Sequence, residues 1–462
     1  MKIVIMAGGK GTRIASVAHD IPKPMIPING KPVLEREIEC LKSQGLTDII
    51  LTVSHMADVI IDYFGDGTAL GVNITYYVEK EPLGNAGALF RLRNILKAST
   101  SDDDSFLLLN ADSIFDIDFH RFIAWHKEKK ARVSLFTHPN SHPYDSGLVI
   151  TDNTGAVTKW LAKEDERPRY YKNRVNAGLH IMSVSVLDSY MDSLKDDQKK
   201  TWNPAEDGLD EKTYGKPIIP IGKVDLDRAL LKPLSGTGKM YAYDSPEYVK
   251  DMGTPDRYYA VCRDYETGKV KARNLSNKQK AIFLDRDGTI NKYVGFLRNI
   301  DDFELLPGVT DAIKRINNSG YLAIVVTNQP VIARGEVTYQ ELCEIHNKME
   351  TLLGAEGAYL DAIYFCPHHP HKGYEGEVRD LKIECECRKP KPGMLLTAAK
   401  DFNIDLSESW MIGDGENDML AGRNGGTKVA YIKNDLSLKQ DTMPEADLIG
   451  DSLIEIINSI LG

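Results

Sequence analysis

Asp285 and Asp287 stand two positions apart where the apolar run Ala281–Leu284 meets Gly288. On an extended chain residues i and i+2 share one side, so both carboxylates can face one substrate and one divalent cation. One carboxylate suits attack on phosphorus, and the other suits proton transfer to the departing oxygen. An acidic turn after a strand would look the same over these positions alone, so residues further along the chain decide between the two. Thr327-Asn328-Gln329 closes a second apolar run with a hydroxyl and amides suited to phosphate oxygens. Arg388 and Lys389 supply adjacent cations, and the run Trp410–Gly413 delivers Asp414. Asp418, four positions later, reads as an acid that orients Lys389 or loop backbone rather than a metal ligand.

A different set lies between these. Cys366 and His368 form C-x-H, and Cys385 and Cys387 form C-x-C. Together they offer four ligands suited to tetrahedral Zn2+, which would be structural because four protein ligands leave no open position. His369 is the alternative to His368. The rival reading, a Cys385–Cys387 redox pair, requires a strained bridge and an oxidising compartment.

The first half carries its own candidates. Lys2–Met6 is a β-rich run entering Ala7-Gly8-Gly9-Lys10-Gly11-Thr12-Arg13. Its glycines let backbone N–H groups approach a phosphate chain, and Lys10 and Arg13 add charge. The spacing does not fit the GxxxxGK[ST] loop. Lys23 is flanked by Pro22 and Pro24, which favours an ordered placement over a loose surface lysine. Phe106–Leu109 leads to Asp112, a further carboxylate at a strand end.

As strings, these segments resemble two families. GGKGTRI followed by Lys23-Pro24 is similar to the signature of the sugar-1-phosphate nucleotidyltransferases, with Ile14 where Leu is usual. Asn110-Ala111-Asp112-Ser113 resembles that family's metal-binding segment, and Asp251 its second metal ligand, implying Mg2+ on Asp112 and Asp251. The stretch from Glu81 to Ala88, containing Gly84, resembles its base-binding loop, with Asn85 where Thr is frequent. Ser146-Gly147 and Val175-Asn176-Ala177-Gly178 match segments that contact the sugar in relatives, so Gly147 and Asn176 are candidate substrate contacts. The resemblance implies nucleotide binding by Gly8, Gly9, Gly11, Thr12, Arg13 and Gly84, with Arg13 and Lys23 holding two anionic partners in line.

DRDGTIN, beginning at Asp285, resembles the first motif of the haloacid-dehalogenase phosphatases. Thr327 and Asn328 resemble the second motif, Lys389 the third, and Asp414 the magnesium-binding acid. The implied Mg2+ set is Asp285, Asp287 and Asp414, with Thr327, Asn328 and Arg388 on substrate. By the same resemblance Asp285 forms an aspartyl phosphate, while Asp287 protonates the leaving oxygen and later deprotonates water. Val331–Gly335 continues the match to one branch, with Pro330 replacing a small polar residue. That branch looks most like the heptose 1,7-bisphosphate phosphatases, with the histidinol phosphatases as rival. The first half looks most like the heptose-1-phosphate guanylyltransferases, implying GTP as co-substrate. The alternatives are a different sugar, or a first half that senses nucleotide without catalysis.

These residues need elements to position them. Leu34, Ile38 and Leu41 repeat with helical spacing before Gly45, and Asp48–Val53 reads as a buried strand. A helix over Met56–Phe64, a strand over Val72–Val78 and a helix over Gly84–Leu96 continue a βαβ order. This predicts an α/β fold with a doubly wound, mixed but largely parallel sheet and its site at the strands' C-terminal ends. Between Asp285 and Thr327 there is chain for one strand–helix–strand unit, so the second domain is expected to be Rossmann-like and uncapped. The expected division is a transferase domain over 1–266, a polar linker over 267–280, and a phosphatase domain over 281–462. At 462 residues with 42% hydrophobic and 27% charged residues, the chain suits two soluble globular domains. A formal charge of −10 argues against nucleic acid or an anionic membrane as partner. Six cysteines in this length do not make a disulfide framework, and a cytoplasmic location is expected. Oligomeric state is not legible.

Overall fold

The computed structural model describes residues 1–9, 14, 16–17, 21–97, 104–373, 375–433 and 445–462. Lys10, Gly11, Thr12 and Arg13 therefore lie outside the described residues. The chain divides into two units: residues 1–137, 149–160 and 176–274 form the first, and 138–148, 161–175 and 275–462 the second. Among the described residues no helix is long and apolar enough to cross a membrane.

The first unit is built on strands β1 (Ile3–Met6), β2 (Asp48–Val53), β3 (Asn73–Val78) and β4 (Ser105–Asn110). They pair in parallel in the order β4-β1-β2-β3. Helices α1 (Val33–Ser43), α2 (Ala57–Phe64) and α3 (Gly87–Lys97) alternate with them. Strand β5 (Ser113–Asp116) follows β4 after two residues. Strand β6 (Val175–Ser183) then runs antiparallel against β4, which makes the nine-stranded sheet mixed. The continuous apolar runs are explained by burial on both faces. Val4 and Leu108 enter one core cluster, while Ile3, Ile5, Leu107 and Leu109 enter another. Each such fully buried side chain contributes about 1.5–3 kcal/mol. Strand β7 (Tyr248–Asp251) pairs antiparallel with β5.

The second unit has six parallel strands: β8 (Lys280–Leu284), β9 (Tyr321–Asn328), β10 (Ala362–Cys366), β11 (Trp410–Gly413), β12 (Lys428–Ile432) and β13 (Leu448–Gly450). Their order is β10-β9-β8-β11-β12-β13. Ile282 and Leu284 enter one core cluster, Ala281 and Phe283 the other. Between β8 and β9 the α-helical content is helix α4 (Val309–Asn318), so no cap is inserted there. Helix α5 (Tyr339–Ala355) starts at a capping box of Thr338 and Glu341.

The segment 267–280, expected as a linker, is structured over much of its length. Lys269–Ala272 is a short helix, and Val270 and Leu275 are buried. Two apolar side chains in an otherwise polar tract suffice to anchor it, and the units divide between Asn274 and Leu275.

Candidate active sites

Asp285 leaves the end of β8 with its N–H donating to Ile412 O at 2.9 Å, which sets it between β8 and β11. Lys389 Nζ lies 2.7 Å from Asp285 Oδ1 and 2.5 Å from Asp418 Oδ1, and Lys389 is 3% exposed. The expected orienting role of Asp418 has its geometry here, and Asp418 also accepts from Gly415 N at 3.1 Å. Asp414 joins them, with one oxygen each of Asp285, Asp414 and Asp418 within 4.8 Å of one another. Gly288 permits this packing: its φ is +84°, and a Cβ there would stand 2.0 Å from Asp414 Oδ2. Burial raises Asp285, Lys389 pulls it back, and the charges of Asp418 and Asp287 push it further up. Burial works against the charge on Lys389, but the two carboxylates outweigh it and hold it protonated. Three carboxylates against one ammonium leave negative charge that fits a hard divalent cation.

The side chain of Asp287 lies outside this cluster. It accepts from Arg286 Nη2 at 2.9 and 2.8 Å, from Gln329 Nε2 at 2.9 Å and from Asn291 Nδ2 at 3.1 Å. Burial would raise it, but Arg286, Asn291 and Gln329 together hold it below the usual carboxylate range. Arg286 is fully buried, also donates to Gln329 Oε1 at 3.0 Å, and meets His346 Nε2 at 3.3 Å. Gln329 belongs to the Thr327-Asn328-Gln329 run, whereas Arg286 and His346 do not stand out in the sequence as parts of the site. Only the adjacency of an arginine to both acids points there.

His346, on α5, has its own consequence. Burial, then the charge of Arg286, push its imidazole down to about 3. The unfolded chain takes up a proton below about 6.5 and the folded chain does not, so stability is lost as pH falls from there towards 3. Chemical denaturation at pH 7.5 and pH 5 should show about 2 kcal/mol of acid loss from this group, absent in His346→Gln. An equal loss in the variant would refute the assignment.

Thr327 is buried, and its Oγ1 accepts from Gln329 Nε2 at 2.9 Å. Asn328, which lines the same cleft as Asp285, is tied to the lysine backbone. Its Oδ1 accepts from Lys389 N and its Nδ2 donates to Lys389 O, both at 3.0 Å, so the amide braces the lysine backbone. Arg388 Nη1 donates to His368 O at 3.2 Å. Asp285, Asp287, Thr327, Arg388, Lys389 and Asp414 line an open cleft of about 360 Å³, with Tyr293 and Phe296 on its wall. Those two aromatics are also invisible in the sequence, because exposed loop residues carry no periodicity.

Cys366, His368, Cys385 and Cys387 converge. Their sulfurs are 3.2–3.6 Å apart, and His368 Nδ1 is 3.3 Å from Cys387 Sγ and 3.7 Å from Cys366 Sγ. A tetrahedral ion with bonds of about 2.3 Å separates its ligands by roughly 3.7 Å, so the donor set fits zinc. The alternative ligand, His369, is turned to the loop, its Nδ1 accepting from His371 N at 3.2 Å. All three cysteines are free.

In the first unit, Lys23 Nζ lies 2.6 Å from Asp112 Oδ2. The β5–β7 ladder sets Ser113 opposite Asp251, and Met252 N donates to Asp112 O at 3.1 Å, so Asp112 and Asp251 are neighbours beyond the end of β4. Asp251 accepts from Arg257 Nη1 at 3.1 and 3.0 Å and from Gly253 N at 2.8 Å. Burial would raise Asp251, but Arg257, the Gly253 N–H and Lys23 hold its carboxyl below the usual range. Gly84 has φ +79°, and a Cβ there would meet Val224 O at 2.4 Å, so only glycine closes this turn. Asn85 Oδ1 accepts from Leu226 N at 2.6 Å and braces the loop. Gly8 approaches Ser54, with 3.3 Å to a notional Cβ, and Gly9 is open. Asn176, on β6, is half-buried; Gly147, which groups with the second unit, is half-buried as well.

Fold and sites together define a class: phosphate-handling α/β enzymes, with a separate carboxylate-and-lysine centre in each unit. The nucleotidyl transferase family model matches residues 2–268, and the haloacid dehalogenase-like hydrolase model matches residues 225–426. The chain is 40% identical over 181 residues to D-glycero-beta-D-manno-heptose-1,7-bisphosphate 7-phosphatase of Haemophilus ducreyi, covering 39% of this chain and 97% of that protein. Among solved structures, HddC from Yersinia pseudotuberculosis is 27% identical, covers 57% of this chain and 99% of its own, with a TM-score of 0.43. D,D-heptose 1,7-bisphosphate phosphatase from B. bronchiseptica, complexed with magnesium and phosphate, is 32% identical, covers 40% and 98%, with a TM-score of 0.35. The chain belongs to the nucleotidyl transferase family through its first half and to the family of the heptose-bisphosphate 7-phosphatases through its second.

Proposed function

We propose that this is a bifunctional enzyme of GDP-heptose synthesis. The domain over 281–462 removes the 7-phosphate of D-glycero-α-D-manno-heptose 1,7-bisphosphate. The domain over 1–266, joined through 267–280, transfers GMP from GTP to the resulting heptose 1-phosphate and releases pyrophosphate. The observation that carries this reading is Lys389 held between Asp285 and Asp418 beside Asp414, in a half that aligns with nearly the whole of a 7-phosphatase.

In the phosphatase step Asp285 attacks phosphorus while the bond to the sugar oxygen breaks. Lys389 neutralises the attacking carboxylate and the phosphoryl oxygens, and Thr327 and Arg388 hold the phosphate ester. Asp287 gives the leaving oxygen its proton and later takes one from the water that opens the aspartyl phosphate. As placed, Asp287 is a carboxylate suited to the second task. The first requires its carboxyl to turn from Arg286 and Gln329 towards the ester. Magnesium held by Asp285 and Asp414 would neutralise charge at the phosphoryl group. Zinc on Cys366, His368, Cys385 and Cys387 would be structural.

In the transferase step the sugar 1-phosphate oxygen attacks the nucleotide α-phosphorus and pyrophosphate leaves. Lys23 and Arg13 hold the two anions in line, the turn containing Gly8, Gly9, Gly11 and Thr12 takes the phosphates, and Gly84 shapes the base loop. Gly147 and Asn176 face the sugar, and magnesium on Asp112 and Asp251 would neutralise charge at the reacting phosphates. No protein nucleophile is needed, because positioning and charge supply the catalysis. The partners are small sugar phosphates and GTP, and the location is the cytoplasm.

The two steps must agree in regiochemistry. The transferase uses the anomeric phosphate as nucleophile, so a fused phosphatase that removed it would destroy its partner's substrate. The order is phosphatase first and transferase second. Phosphorus NMR of the hydrolysis product should retain the anomeric signal and lose the distal one, faster for the α than the β anomer. The relatives are named for the β anomer, so both are assayed. Loss of the anomeric signal first ends the scheme, and a preference for β corrects the anomer alone.

A further inference from the structure

We infer that His180 is a positioning residue for the transferase: it fixes the amide of Asn176 so that its NH2 group faces an oxygen of the sugar 1-phosphate. This deepens the proposed function and rests on its reading of Asn176. Asn176, Gly178 and His180 occupy alternate positions of β6 and share one face. In a flat strand residues four apart are separated by about 13 Å, beyond the joint reach of these side chains. Gly178 removes the obstacle. Its φ is +77°, and a Cβ there would lie 2.5 Å from Asn110 Nδ2, so the chain bends at a position only glycine tolerates. Across that bend His180 Nε2 lies 3.1 Å from Asn176 Oδ1.

The hydrogen-bond roles are fixed by elimination. Gly178 N also points at that atom of Asn176, at 3.3 Å, and a backbone N–H can only donate. The atom facing it is therefore the amide oxygen, not the nitrogen. His180 Nε2, meeting the same oxygen, must carry a hydrogen, which leaves Nδ1 bare. Nδ1 is buried and has no partner among the described residues. The ring is 1% exposed, and burial pushes its pKa down to about 4, so it is neutral at physiological pH. A buried histidine with one bare nitrogen is poor packing for its own sake, and its one hydrogen bond accounts for its presence.

With two donors on Oδ1, the amide plane of Asn176 is locked and both Nδ2 hydrogens point the other way. Asn176 is half-buried, and no acceptor among the described residues takes a bond from Nδ2. Gly178 packs on Asn110, two positions before Asp112, which meets Lys23, and the proposed contact sets the free NH2 towards that edge. A group that can only donate there selects an acceptor oxygen.

The test uses the full chain, heptose 1-phosphate and GTP, with pyrophosphate readout. His180→Leu should raise KM for the sugar phosphate about tenfold, leaving KM for GTP and phosphate release from the bisphosphate unchanged. His180→Gln, whose amide nitrogen takes the place of Nε2, should return KM to within about threefold of the parent. Histidine-labelled nitrogen NMR, assigned by loss of one signal in His180→Gln, should show the Nε2–H tautomer. An unchanged KM in His180→Leu, a His180→Gln as impaired as His180→Leu, or an Nδ1–H tautomer overturns the inference. The tautomer measurement needs no turnover. It judges His180 even if His180→Leu does not fold, or if the parent uses no sugar 1-phosphate, the result that would fail the functional reading instead.

Discussion

Asp285→Asn is expected to abolish phosphate release, by a factor on the order of 10⁴–10⁶, while pyrophosphate release from sugar 1-phosphate and GTP persists. Asparagine keeps the shape of the side chain but offers phosphorus no competent nucleophile. Lys389 keeps its bond to Asp418 at 2.5 Å and the brace of Asn328 on its backbone, so the lysine stays in place. The fold should not suffer. Burial and the neighbouring acids raise Asp285, so its ionised form is less favoured in the folded chain than in the unfolded one. That penalty is present at neutral pH and disappears with the carboxylate, so the melting temperature should hold or rise. Loss of activity with unchanged stability then belongs to chemistry. Asp112→Asn should do the reverse, stopping pyrophosphate release and sparing phosphate release, because Lys23 loses its partner at 2.6 Å and the proposed metal pair with Asp251 is broken. Either variant losing both activities while still folded would show that the two centres are not separate.

How much of this is legible in the sequence varies by residue. The strands that carry Asp112 and Asp285 are plain, because runs such as Phe106–Leu109 and Ala281–Leu284 are buried on both faces and admit no polar residue. Lys389 and its pairing with Asp418 are legible from order and charge. Asp287 is half legible: its position is clear, but where its carboxylate points depends on Arg286. An arginine in an acidic turn reads as solvated, yet here it is fully buried against His346, a residue of a distant helix that no local pattern connects to it. The brace that Asn328 gives Lys389 is hidden for the same reason, since the two are 61 positions apart. The segments 138–148 and 161–175, which group with the second unit, have no periodicity to betray their place. Arg13, Gly11 and Thr12 rest on sequence alone, outside the described residues.

The other large effect expected is loss of the metal at the cysteine cluster. Elemental analysis should find close to one zinc per chain, and Cys385→Ser should lose it along with thermal stability of the second unit and most of its phosphatase activity. The stability cost has a clear origin. Binding to Cys366 and His368 at one end and to Cys385 and Cys387 at the other would close a loop with no strand among its described residues. Closing a loop of about that length by a cross-link is worth roughly 3 kcal/mol, before any direct bond energy is counted. The activity cost comes from chain order. Cys387 is followed immediately by Arg388 and Lys389, and Arg388 Nη1 donates to His368 O at 3.2 Å, so the loop proposed to carry zinc leads directly into the lysine proposed to act on Asp285. A lysine displaced by even an ångström from Asp285 loses its hold on the attacking carboxylate. Pyrophosphate release, which uses none of these residues, should be untouched, and that contrast separates a local structural role from general unfolding. Chelator treatment of the parent protein should reproduce the variant, and re-addition of zinc should restore it. Freshly purified protein, prepared with zinc in supply, that contains no zinc and has Cys385 disulfide-bonded to Cys387 would overturn this account, because the same sulfurs would then be serving redox chemistry.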